Sequence, residues 1–265
     1  MIDYFTFEII DQQGLIQGSD RVREQLFNGV CIVSVNQQEC GSGFLFRFRT
    51  DQNIEMFGFL TCYHVIRNRA LQPLPGPAQI TIRFDSNPPV QRTLTQAQIP
   101  NREPIVSPAH DIYYLEVSQQ FRNDMQAHGI PFYESTDPFG SHQVWIAQYP
   151  GPTGQRHIAN ATMTAGWLTT GPLIHHIVST GEGSSGSPLL LYMLEQDTLR
   201  TIGMHQGGLR GNPNVNVAAS IANIMHVLNY RIQYAADPPF PIHTPAPAFE
   251  ASGIALNLLL LSKIL

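Results

Sequence analysis

The chain is poor in charge, in cysteine and in long apolar runs, and each shortage excludes something. Only 13% of its 265 residues are charged, and 15 Lys and Arg stand against 20 Asp and Glu, a formal net charge of -5. Nothing in that balance draws the protein to nucleic acid or to an anionic membrane surface. Cys31, Cys40 and Cys62 are odd in number and confined to the first quarter, unlike the framework of a disulfide-stapled secreted domain. The sequence lacks Cys-x-x-Cys and His-x-x-x-His pairs, so Cys62 with His64, or His175 with His176, makes a poor metal site, and neither metal nor cofactor is expected. The one strongly apolar run, 254–261, falls well short of the roughly 20 residues that span a bilayer. The opening Met1-Ile2-Asp3-Tyr4-Phe5 has no basic n-region and meets the polar Asp11-Gln12-Gln13-Gly14 before an apolar core develops. An intracellular, cytoplasmic and reducing setting is the expectation.

What the chain has in quantity is short apolar segments broken by 21 Gly and 20 Pro, the texture of antiparallel β-structure. After an N-terminal arm with a strand-like segment at 4–10 and a helix from Ser19 or Asp20, strands are expected near 30–35, 43–49, 54–61, 79–84 and 111–117. A polar helix at about 118–128 connects to a second series near 143–149, 173–179, 188–194, 201–204 and 215–219. Two groups of about six strands suggest two small barrels or sandwiches. Helical spacing returns at 220–234, where Ile221, Ile224, Met225, Leu228 and Ile232 follow a Ser220 N-cap. Pro238, Pro239 and Pro241 then stop the helix. The Pro-rich linker and apolar tail that follow are expected to bind a partner or to pack on the domain.

The stretch Gly181-Glu182-Gly183-Ser184-Ser185-Gly186-Ser187-Pro188 puts a serine on a turn that two glycines allow to be sharp, ahead of the apolar strand Leu189-Leu190-Leu191. A hydroxyl presented on such a turn, with backbone N–H groups free beneath it, is the arrangement an acyl-transfer nucleophile needs. This Gly-x-Ser-Gly-x-Pro pattern resembles the nucleophile loop of chymotrypsin-like serine peptidases, with the nucleophile at Ser185. Upstream, Thr61-Cys62-Tyr63-His64 is similar to the family's Thr-x-x-His motif, and Cys40-Gly41-Ser42-Gly43-Phe44 to the strand before it. Asp111-Ile112-Tyr113-Tyr114-Leu115 resembles the family's Asp-Ile-Ala-x-Leu signature, with Tyr113 in place of the small residue.

The resemblance implies an all-β fold of two six-stranded antiparallel β-barrels with a C-terminal α-helix. It implies His64 as general base, Asp111 as its orienter and Ser185 as nucleophile, with the N–H groups of Gly183 and Ser185 as the oxyanion hole. The corresponding units are an arm at 1–28, a first barrel at 29–120 with His64 and Asp111, a second at 121–235 with Ser185 and the closing helix, and a tail at 236–265. Ser184 stands where trypsin-type zymogens carry the aspartate that captures a new N-terminus, so activity without proteolytic processing is expected.

Thr180, five residues before Ser185, and the run Gly203-Met204-His205-Gln206-Gly207-Gly208 resemble glutamyl endopeptidases and the chymotrypsin-like processing proteases of picornaviruses. There such a pair binds Glu or Gln, which makes Thr180, His205, Gln206, Gly207 and Gly208 the candidate substrate-binding residues. The segments 173–181 and 202–208 contain no acidic residue, against cleavage after Lys or Arg. A preference for Glu is expected to strengthen toward pH 6 if His205 is then protonated. The implied activity is endopeptidase cleavage of protein or peptide substrates after Glu or Gln. The alternative is an inactive chymotrypsin-like module that binds peptides in the same cleft.

Overall fold

The computed structural model describes residues 20–67, 79–95, 103–136, 142–150, 156–163, 172–209 and 212–234. The strand-like segment at 4–10 and the tail at 236–265 lie outside them. Helix α1 (Asp20–Asn28) precedes the first sheet, built from β1 (Val30–Val35), β2 (Gln38–Arg49), β3 (Glu55–Thr61), β4 (Ile80–Phe84), β5 (Val90–Thr93), β6 (Ile105–Ser107) and β7 (Ile112–Glu116). Its order is β5-β4-β1-β2-β3-β7-β6, all neighbours antiparallel. A one-turn helix, α2 (Tyr63–Ile66), follows β3 directly.

Helix α3 (Gln119–Ala127) links the halves, its first turn capped by Ser118, whose Oγ accepts from the Phe121 N–H at 3.3 Å. The second sheet contains β8 (Glu134–Ser135), β9 (His142–Gln148), β10 (His157–Met163), β11 (Leu173–His176), β12 (Pro188–Met193), β13 (Thr198–Leu209) and β14 (Asn212–Ser220). Six of these run β10-β9-β12-β13-β14-β11, and β8 adds to β13 in parallel. Among the described residues each sheet therefore has seven strands, one more than the expected six. The strands that the sequence reading leaves unassigned, β5, β6, β8 and β10, are either two to four residues long or, like His157-Ile158-Ala159-Asn160, too polar to alternate clearly. Helix α4 (Ile221–Gln233) closes the described chain behind its Ser220 cap, as its spacing predicts.

One apolar core runs between the sheets, from Phe44, Phe46, Phe59 and Leu60 to Leu190, Met204, Ile224 and Leu228, all buried. A smaller cluster inside the second sheet packs Val144, Ile146, Ile174, Leu189 and Ile202. Glu134 of β8 pairs with both Arg47 of β2 and Arg200 of β13, tying the two sheets together. No described helix is long and apolar enough to cross a membrane.

Candidate active site

Asp111 and His64 meet because β3 and β7 are neighbours whose ends lie side by side. The last residue of β3 faces Tyr113, and the turn before β7 places Asp111 against α2. That turn leaves Asp111 at φ 55°, a left-handed backbone that Asp tolerates better than most residues. Its carboxylate is 1% exposed and accepts two hydrogen bonds from one residue: the His64 backbone N–H at 2.9 Å, and His64 Nδ1 at 2.7 Å. A carboxylate can only accept, so Nδ1 carries the proton and Nε2 presents a lone pair. Burial pulls the imidazole's pKa down, but the charge of Asp111 and its hydrogen bond outweigh this and raise it above the ordinary value.

Ser185 reaches this corner from the other sheet. Its carbonyl accepts from the Ser42 N–H at 2.8 Å, and Gly41 lies between that carbonyl and the Val65 side chain, so β2 and α2 flank the serine together. Gly186 sits at φ 90°, where an added Cβ would collide with the Ser42 carbonyl and the Thr61 hydroxyl, which are themselves joined at 2.7 Å. No rotamer relieves a clash at Cβ. Gly186→Ala is therefore expected to lower the melting temperature by roughly 10 °C and to abolish activity, as read by calorimetry and a peptide assay. A Tm within 2 °C or so of wild type would contradict this packing.

The Gly183 carbonyl accepts from Ser42 Oγ at 2.8 Å, and the Ser184 N–H donates to the Gly181 carbonyl at 3.1 Å. The N–H groups of Gly183 and Ser185 donate to no described group, which leaves both available to an oxyanion. The Ser185 hydroxyl is directed elsewhere than the sequence reading expects. It donates to the Gln206 carbonyl at 3.1 Å rather than to His64.

Gln206 joins the two halves of the constellation. Its carbonyl holds the Ser185 hydroxyl, and its buried side chain donates from Nε2 to the His110 carbonyl at 2.8 Å, one residue before Asp111. Beside it the His205 carbonyl accepts both the Gly186 N–H at 2.8 Å and the Cys62 thiol at 3.2 Å. Sequence reasoning names Gln206 only as a candidate substrate-binding residue. His110 is half-buried, and burial lowers its pKa, with His226 adding to the effect against a side-chain hydrogen bond with Asn223 of α4.

Cys62, His64 and Asp111 bring their ligand atoms within 4.8 Å of one another, the one such group among the described residues. Their chemistry does not suit an ion. Burial first, then the Asp111 charge, push the Cys62 thiol well above its ordinary pKa, Cys62 donates to the His205 carbonyl, and both Asp111 oxygens already accept from His64. All three cysteines are thiols, and Cys40 donates to the Gln38 carbonyl, so Cys40 and Cys62 are not paired.

The candidate pocket wall is built on β11, β13 and β14. The expected strand at 173–179 ends at His176, and the chain from there to Thr180 runs alongside Asn216 of β14. Asn216 Nδ2 donates to the Val178 carbonyl at 2.8 Å, and Thr180 Oγ1 donates to Asn216 Oδ1 at 3.1 Å. His205 is 2% exposed, with Nδ1 3.1 Å from His176 Nε2. Burial, then His176 and His64, hold the His205 pKa well below its ordinary value, and burial with His175 pushes His176 down to about 3. Burial thus disfavours the protonated His205 on which the expected strengthening of a Glu preference toward pH 6 depends. Pairing with β12 carries β13 only to Met204, and Gly207 and Gly208 pair with Val217 and Asn216 of β14 on one side. Asn216 and the His176–His205 contact escape sequence reasoning: no local motif marks a strand asparagine, and a link across 29 residues is set by the sheet.

A sequence profile described as the trypsin-like peptidase domain matches residues 41–193, more than half of the chain. No curated protein matches the sequence. Among solved structures, the fold is similar to a serine endoprotease from Yersinia pestis, with a TM-score of 0.54 at 15% identity over 83% of this chain and 69% of that one. Deg5 superposes with a TM-score of 0.53 at 16% identity, over 80% of this chain and 93% of that one. A Glu endopeptidase gives 0.51 at 18% identity over 80% and 93%.

Proposed function

The chain belongs to the trypsin-like peptidase domain family, whose members are serine endopeptidases, and from that premise we propose that it hydrolyses peptide bonds through His64, Asp111 and Ser185, after Glu or Gln. The observation that carries this reading is the His64–Asp111 pair, with Nδ1 2.7 Å from the carboxylate and Nε2 left as a base. In this reading the Ser185 hydroxyl must leave the Gln206 carbonyl and turn toward His64 by rotation about its Cα–Cβ bond.

His64 Nε2 then takes the hydroxyl proton as Oγ bonds to the scissile carbonyl carbon. The resulting oxyanion receives the N–H groups of Gly183 and Ser185, and the imidazolium is stabilised by Asp111. Collapse passes the proton to the leaving amine and gives an acyl-enzyme. Water, deprotonated by His64, releases the acid and restores Ser185. Thr180 and His205 line the pocket for the residue before the scissile bond, and the open edge at Gly207 and Gly208 accepts the substrate backbone as an added strand. The two halves at 29–120 and 121–235 form the peptidase unit, and α1 of the arm at 1–28 packs onto it through the buried Val22 and Leu26. Its free thiols suit a reducing, intracellular compartment.

The working form of His64 is neutral, and its pKa is raised above the ordinary imidazole value of about 6.5. The sign follows: kcat/KM is lost as pH falls through that raised pKa, and its rising limb has a midpoint above about 6.5. A pH series on a single peptide substrate checks this. A flat profile between pH 6 and 8, or a midpoint below 6, would remove His64 as the base.

A further inference from the structure

We propose that the pocket beside Ser185 selects glutamine over glutamate, and that Asn216, through its hold on Thr180, sets that choice. The inference rests on the reading of Thr180 and His205 as the wall of that pocket. Three hydrogen-bond constraints carry it, and each fixes the next.

The Val178 carbonyl lies 2.8 Å from one end of the Asn216 amide. A main-chain carbonyl only accepts, so that end is the NH2, and Oδ1 faces Thr180. Oδ1 has no hydrogen, and Thr180 Oγ1 is 3.1 Å from it, so the threonine's single proton lies between the two oxygens. Thr180 is left with lone pairs alone to offer a ligand. A glutamine side chain can place an N–H there. A glutamate would set a charged oxygen against those lone pairs.

The other wall offers no positive charge to balance a carboxylate. His205 is buried and shares one proton with His176 across 3.1 Å, and burial, then the neighbouring His176 and His64, favour the neutral ring. Asn216 also lies beside the strand whose other, open edge would take the substrate backbone. It pairs with Gly208 on the neighbouring strand, and a Cβ at Gly208 would sit 3.6 Å from Asn216 Oδ1. Sequence alone leaves Glu and Gln unresolved, because the orientation of one amide decides between them.

The test is a set of peptides differing only in the residue before the scissile bond, Gln, Glu, Leu or Lys, assayed at pH 7.5 with the full chain, Asn216→Ala and Thr180→Val. Wild type is expected to favour Gln over Glu in kcat/KM by roughly 10- to 100-fold. Asn216→Ala frees the Thr180 hydroxyl to donate, so the ratio should shrink to a few-fold chiefly because Glu cleavage rises, which a merely disturbed pocket would not produce. Thr180→Val should lower Gln cleavage with the least change for Leu. Glu cleaved as well as or better than Gln by wild type overturns the proposal, as does an unchanged Gln-to-Glu ratio in folded Asn216→Ala. If Asn216→Ala does not fold, the wild-type ratio and Thr180→Val still decide it. Leu or Lys cleaved as readily as both Gln and Glu is a different failure: it rejects the pocket reading itself and leaves the triad untouched.

Discussion

Ser185→Ala is expected to lower peptide-bond cleavage by about 10⁶-fold, to the level left by substrate binding and the oxyanion donors, while the melting temperature stays within about 2 °C of wild type. The stability half follows from the hydroxyl's surroundings. Ser185 is half-buried and its hydroxyl makes one described bond, to the Gln206 carbonyl, so truncation removes one donor and creates no cavity of consequence. The loop's backbone contacts, Ser42 to Ser185 and Gly186 to His205, are untouched. The activity half follows because nothing nearby replaces the nucleophile. Cys62 is the nearest thiol to the base, but it is fully buried, donates to the His205 carbonyl and is held protonated. Measurement of kcat/KM beside a thermal melt checks both halves. Residual turnover above about 1% of wild type in the purified variant would mean that the bond is broken by other means.

Asp111→Asn is the second large effect, a loss of about 10⁴-fold, a magnitude carried over from the chymotrypsin-like triad. The local argument is specific to two hydrogen bonds. Asp111 Oδ1 accepts the His64 backbone N–H, and Oδ2 accepts from Nδ1. An asparagine keeps a single acceptor. With its oxygen on the backbone N–H, its NH2 points at Nδ1, which must then be unprotonated, and the proton moves to Nε2. The ring facing Ser185 becomes a donor, and the base is lost. Because the carboxylate is also what raises the His64 pKa, whatever activity remains should show its rising limb at lower pH than wild type. The pH dependence of kcat/KM for the variant reads both. A loss under tenfold, or a limb that does not move down, would contradict the assigned role of Asp111.

The fold class was legible because its strands are short, apolar and bounded by turn residues, and α1 and α4 carried recognisable starts at Asp20 and Ser220. Two strands in each sheet were not legible. Val90-Gln91-Arg92-Thr93 and Glu134-Ser135 form strands only because a neighbour supplies the ladder, a tertiary effect that local composition does not encode. The site divides in the same way. His64, Asp111 and Ser185 sit in local motifs, each with its own turn chemistry. The groups that connect them are scattered: the Gln206 amide reaches His110 across 96 positions, and the Cys62 thiol reaches His205 across 143. Thr180 and His205 could be named from the sequence, but the proton between Thr180 and Asn216 is fixed only by the Val178 carbonyl.

The central claim is that Ser185 is a nucleophile activated by the His64–Asp111 pair, and covalent capture by a fluorophosphonate tests it most directly. The full chain, made in reducing buffer and exposed to the probe, should gain the mass of one phosphonyl group, mapped by peptide sequencing to Ser185. Labelling should be fast at pH 8, slow at pH 6 and absent in Ser185→Ala. A folded protein that takes up no label across that pH range, or that carries it on another residue, would contradict the account and leave a peptide-binding module with the shape of a peptidase.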